Sequence, residues 1–443
     1  PYIGLFDLYG MRLNYKYTFR NEFFPFNGFL VKESNSRGNS FELDYSSNRE
    51  FSTNFTFTQR KKEISEQFKL LGKSNNESIL IRNQSSALLF DRFLRGSIFY
   101  EASTRKTSKL ERVFVQVPIG TGNYIYLGDL NNNGIAEENE YEPTIFDGEF
   151  IQITIPSDEL IPIVELKTNT RWNLDFAQIV NGNSFLEKIV NPLSIETFYR
   201  IEENSKELET KKIYLLNMDS FLNDSTTIRG FNQFQSDFHI FKNKRDLSFR
   251  LRYNQRKGLN QFSSGIERSY FREQSLRIRF KMIEEFSNET EIVSESDFVD
   301  AAGNSRRARR VESQSLKSDF SYKPYRNIEV GFTIENSQSE DSFPQIPTQI
   351  DANSQKIRFV YAIANTGRLQ LEVERNELIT NNSENYIPFQ LTKGNQIGKN
   401  YFWRLNFDYR LSQNLQMSFN YDGRLLGGSN PIHTMRAEAQ AFF

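Results

Sequence analysis

The chain has 443 residues, with 55 basic and 56 acidic side chains for a net charge of −1, and it contains no cysteine. The charge balance excludes a general electrostatic footprint for nucleic acid, and the missing cysteine excludes disulfides, thiolate chemistry and thiolate metal sites. Apolar residues make up only 37%, yet 41 Phe and 20 Tyr argue against disorder and for large apolar residues alternating with polar ones.

No run of 18 or more apolar residues occurs, so no transmembrane helix is expected. The chain starts at Pro1 without a leader, so it is expected to be processed or to be part of a longer protein.

Residues 1–117 are β-rich. Met11, Leu13, Tyr15, Tyr17 and Phe19 alternate with Arg12, Asn14, Lys16 and Arg20, and Phe51, Phe55 and Phe57 share a face. Turns near 46–50 and 72–77 are short. This part reads as further barrel strands, giving 20–22 in all, or as a separate periplasmic β-domain; the regularity of 11–20 favours strands.

An insert follows over 118–162, and it carries the one motif with chemistry. DLNNNGIAEENE, 129–140, matches the calcium-loop template at every specified position. Asp129, Asn131 and Asn133 would supply side-chain oxygens, with Gly134 at the sharp turn and Ile135 offering its carbonyl. Glu137 would bind directly or through water, and Glu140 would be bidentate. Ca²⁺ wants six to eight hard oxygens, and a structural role is expected. The flanking IYL and FIQITI read as strands, so no paired helix–loop–helix is expected. The bland alternative is an Asn/Gly-rich turn with solvated acids.

From 163 to 443 the signal is strict two-residue alternation. Val164, Leu166, Trp172, Leu174 and Phe176 face away from Glu165, Lys167, Arg171 and Asp175. The same pattern sets Leu247, Phe249, Leu251 and Tyr253 against Arg250, Arg252 and Asn254. It continues through Leu276–Met282, Ile328–Ile334, Ile357–Ile363, Leu369–Val373, Tyr401–Leu411 and Leu415–Tyr421. Fourteen strands are expected between 164 and 443, many long enough for the 9–11 residues or so that a tilted membrane strand needs.

Their connections alternate in length. The longer ones lie near 427–431, 379–399, 338–353, 299–307, 257–269, 222–227 and 177–191. The shorter ones lie near 412–413, 365–366, 323–326, 285–286, 241–244 and 203–210. Long loops at one rim and tight turns at the other are the layout of outer-membrane barrels. The expected fold class is therefore all-β, a transmembrane antiparallel β-barrel of at least 14 strands, with a calcium-loop insert. Counting strands back places the insert on the side of the short turns.

The chain ends in MRAEAQAFF, with Met435, Ala437, Ala439, Ala441 and Phe443 on one face. This segment resembles the C-terminal signal of bacterial outer-membrane barrels. The resemblance implies a periplasmic C-terminus, periplasmic short turns and extracellular long loops. GTGNYIYLGDLNNNGIAEENEYEP resembles a segment of large Bacteroidetes outer-membrane proteins of unassigned function.

His239 and His433 have no partners at metal-ligand spacing in the sequence, so no enzyme is expected. His433 reads as an interfacial strand residue. The basic run SRRARR, 305–310, reads as a solvated loop able to meet anionic surface glycolipid. The functional expectation is an envelope scaffold that anchors a complex in the bacterial outer membrane; the alternative is a pore or uptake channel for small polar solutes. Expected partners are outer-membrane lipid, surface glycolipid and other envelope proteins, not nucleic acid.

Overall fold

The computed structural model describes residues 2–26, 28–47, 50–71, 73, 75–180, 184–207, 209–301, 307–364, 366–382 and 387–442. Strands run in chain order as β1 (Tyr2–Leu8), β2 (Met11–Phe26), β3 (Phe29–Ser47) and β4 (Phe51–Ile64). A short helix, α1 (Glu66–Lys69), precedes β5 (Asn76–Leu89) and β6 (Leu94–Gln116). The insert carries β7 (Gly122–Tyr126) and β8 (Tyr141–Gly148), and β9 (Phe150–Asp175) follows directly. After α2 (Phe185–Val190) come β10 (Leu193–Ser205), α3 (Thr210–Tyr214), β11 (Thr227–Ile240), β12 (Leu247–Phe262) and β13 (Gly265–Ile283). The C-terminal run is β14 (Phe286–Asp300), β15 (Arg309–Tyr325), β16 (Ile328–Asp341), β17 (Thr348–Ile363) and β18 (Gly367–Thr380). Then follow α4 (Phe389–Thr392), β19 (Gly398–Ser412), β20 (Leu415–Leu425) and β21 (Ile432–Ala441). All 21 strands belong to one sheet, and the chain is all-β.

Contacts group the chain into two units. Unit 1 comprises Pro1–Arg112, Thr154–Asp237 and Gln255–Ser269, and unit 2 comprises Val113–Ile153, Phe238–Asn254 and Tyr270–Phe443.

In unit 1, β2 to β6 form an antiparallel meander, and β6 also pairs with β9, which pairs with β10. The N-terminal strands therefore continue the same sheet. The register stacks Tyr15, Phe41, Phe57 and Ile81 on one face, as the sequence alternation requires.

Unit 2 carries its meander from β14 to β21. Here too the register lines up apolar positions, in the row Tyr322, Val330, Phe359, Leu371, Leu405, Tyr421 and Met435. A neighbouring row joins Phe320, Phe332, Ile357, Val373 and Trp403. These side chains are not a buried core. Ile357 is 56% exposed, Val373 55% and Met435 68%. An apolar face of this extent open to its surroundings does not suit water, and lipid is the medium that satisfies it. At one edge of it, Tyr421 Oη and His433 Nδ1 are 2.9 Å apart, with Trp403 beside them. Aromatic residues of this amphipathic kind suit a membrane boundary.

Connections in unit 2 alternate as expected: 301–308, 342–347, 381–397 and 426–431 at one end, and 284–285, 326–327, 364–366 and 413–414 at the other. Two expectations fail upstream. Only thirteen strands, β9 to β21, lie from 164 onward among the described residues, because 211–221 folds as α3 and a 3₁₀ turn. Ile213 of α3 is fully buried against Ala102, Val164, Leu166 and Ile201, and Tyr100 Oη donates to the Tyr214 carbonyl at 2.7 Å. The long loop expected at 257–269 is a two-residue turn, since β12 runs to Phe262 and β13 begins at Gly265.

Losing one strand reverses the count that placed the insert. Its tip and arm touch the long-connection end of unit 2, with Arg307 Nη1 3.8 Å from Glu138 and Arg424 Nη2 2.6 Å from Asp147. The insert thus lies with the long connections, not with the short turns. The sequence boundary at 162 also falls inside β9, which starts at Phe150.

Candidate functional site: the covered polar face of unit 2

The face opposite the apolar rows is laced with cross-strand ion pairs, because antiparallel register sets opposite charges beside each other. Arg404 sits opposite Asp422, and its Nε donates to Oδ1 at 2.6 Å. Lys356 lies 3.5 Å from Glu374. Glu329 accepts from Arg358 at 3.0 Å and lies 3.3 Å from Lys323. Gly331 makes room for that reach, since a Cβ there would come within 3.0 Å of the Arg358 guanidinium.

Two segments fold onto this face at the long-connection end. The first is the 387–397 stretch around α4. Leu391 buries against Val311, Ile350 and Leu378, and Lys393 Nζ lies 3.4 Å from Glu335. The second is the β8 arm. Phe146 stacks on Phe402 with ring centroids 6.1 Å apart, and Arg424 lies 4.0 Å over the Phe146 ring. Gly394, at φ +80°, lets the two segments meet, because a Cβ there would come 2.8 Å from Ile145.

Between arm and sheet is a cavity of about 420 Å³, lined by Phe146, Phe402, Glu372, Arg404, Asp422 and Arg424. It combines aromatic rings with charges of both signs. That mixture can bind and pass polar solutes. Sequence reading did not find this site. The signal was Phe402, the aromatic at a polar-face position where its strand otherwise alternates cleanly.

The calcium-type loop spans the tip of the β7–β8 hairpin. Tyr126 pairs with Tyr141 at its base, and Phe114 stacks on Tyr141 with centroids 3.8 Å apart. The flanking elements are strands, as expected. Asp129 accepts from the backbone N–H of Asn133 at 3.2 Å and of Gly134 at 2.8 Å. These bonds, the Gly134 one foremost, hold its carboxyl below the ordinary carboxylate range. Asn131 and Asn133 both donate side-chain amides to Glu137, at 2.8 and 3.0 Å. Glu140 is fully buried and accepts from the Leu130 and Glu137 N–H groups at 2.9 and 3.1 Å. Ile135 is exposed, and its N–H donates to Asn133 Oδ1 at 2.7 Å. The loop therefore gathers Asn131, Asn133 and Glu137 directly, ties Asp129 to their turn, and anchors Glu140 beneath.

The C-terminal strand ends as expected at the short-turn end, where the Phe442 N–H donates to the Asn414 carbonyl at 2.8 Å. Phe443, the last residue of the resemblance, lies outside the described residues. So do Ser305 and Arg306 of the basic run. Within the rest of that run, Arg309 donates to Asp297 at 2.8 Å, and Arg310 lies over Phe298.

No protein-family model matches the chain, and no curated protein matches it. Solved structures similar to it include the siderophore receptor PirA from Acinetobacter baumannii. That likeness has 8% identity and a TM-score of 0.38, and covers 97% of this chain and 68% of the receptor. OccK11 (OpdR) of Pseudomonas aeruginosa shows 9% identity and a TM-score of 0.36, covering 98% of this chain and 94% of its own. Acinetobacter baumannii OccAB3 shows 11% identity and a TM-score of 0.35, covering 98% of each chain. Scores this low carry no argument beyond the chain's own geometry. Long antiparallel strands in one sheet, exposed apolar rows and a charged opposite face give an all-β chain with the strand pattern of a transmembrane β-barrel.

Proposed function

We propose that the protein is a channel that passes small polar solutes across the outer membrane, with the ion-paired face lining the passage. One observation carries this reading: two segments at the long-connection end fold onto the charged face and leave a cavity lined by charged side chains beneath the arm. A barrel that only anchored a complex has no use for a charged face narrowed from one end. Binding and narrowing along a polar wall are how pores select solutes. This favours the channel over the scaffold role, and it requires no catalysis. Planar-bilayer recording of the purified chain tests it. Discrete open-channel steps are the expected result, and a protein that assembles in the membrane without any current would overturn it.

Calcium belongs to the same proposal as a structural ion. Asp129, Asn131, Asn133, Glu137, Glu140 and the Ile135 carbonyl form a hard-oxygen set that fits Ca²⁺, and Asn131, Asn133 and Glu137 already touch one another. The bound ion would supply charge that replaces these internal bonds and stiffens the hairpin tip. With the C-terminal strand read as the periplasmic assembly signal, the insert and long connections face the cell exterior. On that reading the basic 307–310 stretch would meet anionic surface glycolipid.

A further inference from the structure

A second cavity, in unit 1, has different chemistry. Its volume is about 760 Å³, within the usual range for small-molecule sites. Strand register builds its wall from two rows on the polar face. One row runs Asp44, Asn54, Gln84 and Phe99 across β3 to β6, and the next runs Ser46, Ser52, Ser86 and Ser97 across the same strands. Neighbours within a row are one strand spacing apart, about 4.8 Å, and the rows are two residues apart, about 7 Å.

The wall is therefore a grid of hydroxyls and amides with one aromatic ring at its edge. Ser52 and Ser86 already share a bond at 2.7 Å, yet each hydroxyl keeps further donor or acceptor capacity. Charge is scarce here. Arg12 stands opposite Asp44 in register, so the two charges in the lining cancel. Asp44 also accepts from the Asn54 amide. An ion finds no net attraction in such a wall, and an apolar solute would leave its amides and hydroxyls unpaired. A polyhydroxylated solute matches it, because each of its hydroxyls both donates and accepts, and its C–H face packs on an aromatic ring.

From these two rows we infer that the unit 1 cavity is a binding site for a neutral sugar. The inference deepens the channel reading by naming a substrate class, and it rests on that reading only for the route by which the solute arrives. Binding is measured without conduction, on the whole chain in detergent, with maltose as the probe and glutamate and lysine as charged competitors. Saturable maltose binding is expected, undisplaced by either amino acid. The double variant Asn54→Leu with Ser86→Val weakens it about tenfold or more, as two lost hydrogen bonds imply. Asn420→Leu, a control placed on the polar face of unit 2, leaves binding unchanged. Should the double variant fail to fold, Ser52→Ala with Ser86→Ala replaces it and gives a smaller loss in the same direction. Absence of maltose binding, equal binding by the variants, or displacement by glutamate or lysine overturns the inference. Bilayer recording separates the two readings: maltose binding in a protein that shows no current sinks the channel and keeps the sugar site.

Discussion

Arg424 holds Phe146 in place from two sides. Its guanidinium lies 4.0 Å over the ring, and its Nη2 donates to the adjacent Asp147 at 2.6 Å. Arg424 projects from β20 and Phe146 from β8, so this pair helps dock the arm alongside the Phe146–Phe402 stack. The ring contact contributes about 0.5–2 kcal/mol. Phe146→Ala is expected to release the arm and raise single-channel conductance, and Arg424→Ala to act the same way more weakly. Unchanged current in both variants would place the arm outside the conducting path.

The calcium proposal gives a thermal prediction. Melting temperature measured with Ca²⁺ is expected to exceed that with chelator by a few degrees, about what a gain of 1–2 kcal/mol produces in a chain of this size. Glu140→Gln removes the difference while the strands stay intact by circular dichroism. A melt insensitive to calcium in the unaltered chain ends the metal proposal.

The loop's pH dependence has a definite sign. The Gly134 N–H and its neighbours lower the Asp129 pKa in the folded chain, while the unfolded value is about 3.9. Its stabilisation is fully present above that unfolded value and disappears as pH falls through the lower folded value. Backbone amide shifts of Asn133 and Gly134 are therefore expected to hold steady down to about pH 4 and to move only below it. Movement centred near pH 6 would contradict the assignment.

Face assignment can be tested with a matched pair. Leu371 lies mid-row on the apolar face of β18, and Asn406 on the polar face of the adjoining β19. Leu371→Arg is expected to cost about 2–4 kcal/mol and to cut assembly, whereas Asn406→Arg is tolerated. Heat-modifiable gel mobility reads both. Equal tolerance would remove the lipid-facing role of that row.

The α3 segment makes the last prediction. Ile213 is fully buried in the cluster with Ala102, Val164, Leu166 and Ile201. Ile213→Ala is expected to weaken docking of 206–226 by about 2–5 kcal/mol. Faster hydrogen exchange confined to that stretch is the readout, and unchanged protection there would refute it.

Much of this architecture is legible in the sequence. Alternation with a period of two is a local property, so Leu369, Leu371 and Val373 had to share one face and Gln370 and Glu372 the other once the segment was extended. The loop motif at the insert tip was legible for the same reason, because its oxygen-bearing side chains lie within twelve consecutive residues. The cavity under the arm was not. Phe146, Phe402 and Arg424 are far apart in the chain, and nothing local marks Phe146 as a packing residue.

The sequence by itself determined the strand pattern, the two faces of each strand and the chemistry available at the insert tip. Tertiary structure decided how many strands there are and where that tip lies. KKIYLLNMDSF contains enough apolar residues to read as a strand, but a helical turn buries Ile213 completely in a pocket supplied by β6, β9 and β10. That non-local burial outweighs local pattern. Because every strand reverses direction, removing this one moved the insert to the opposite end of unit 2, beside Arg307 and Arg424.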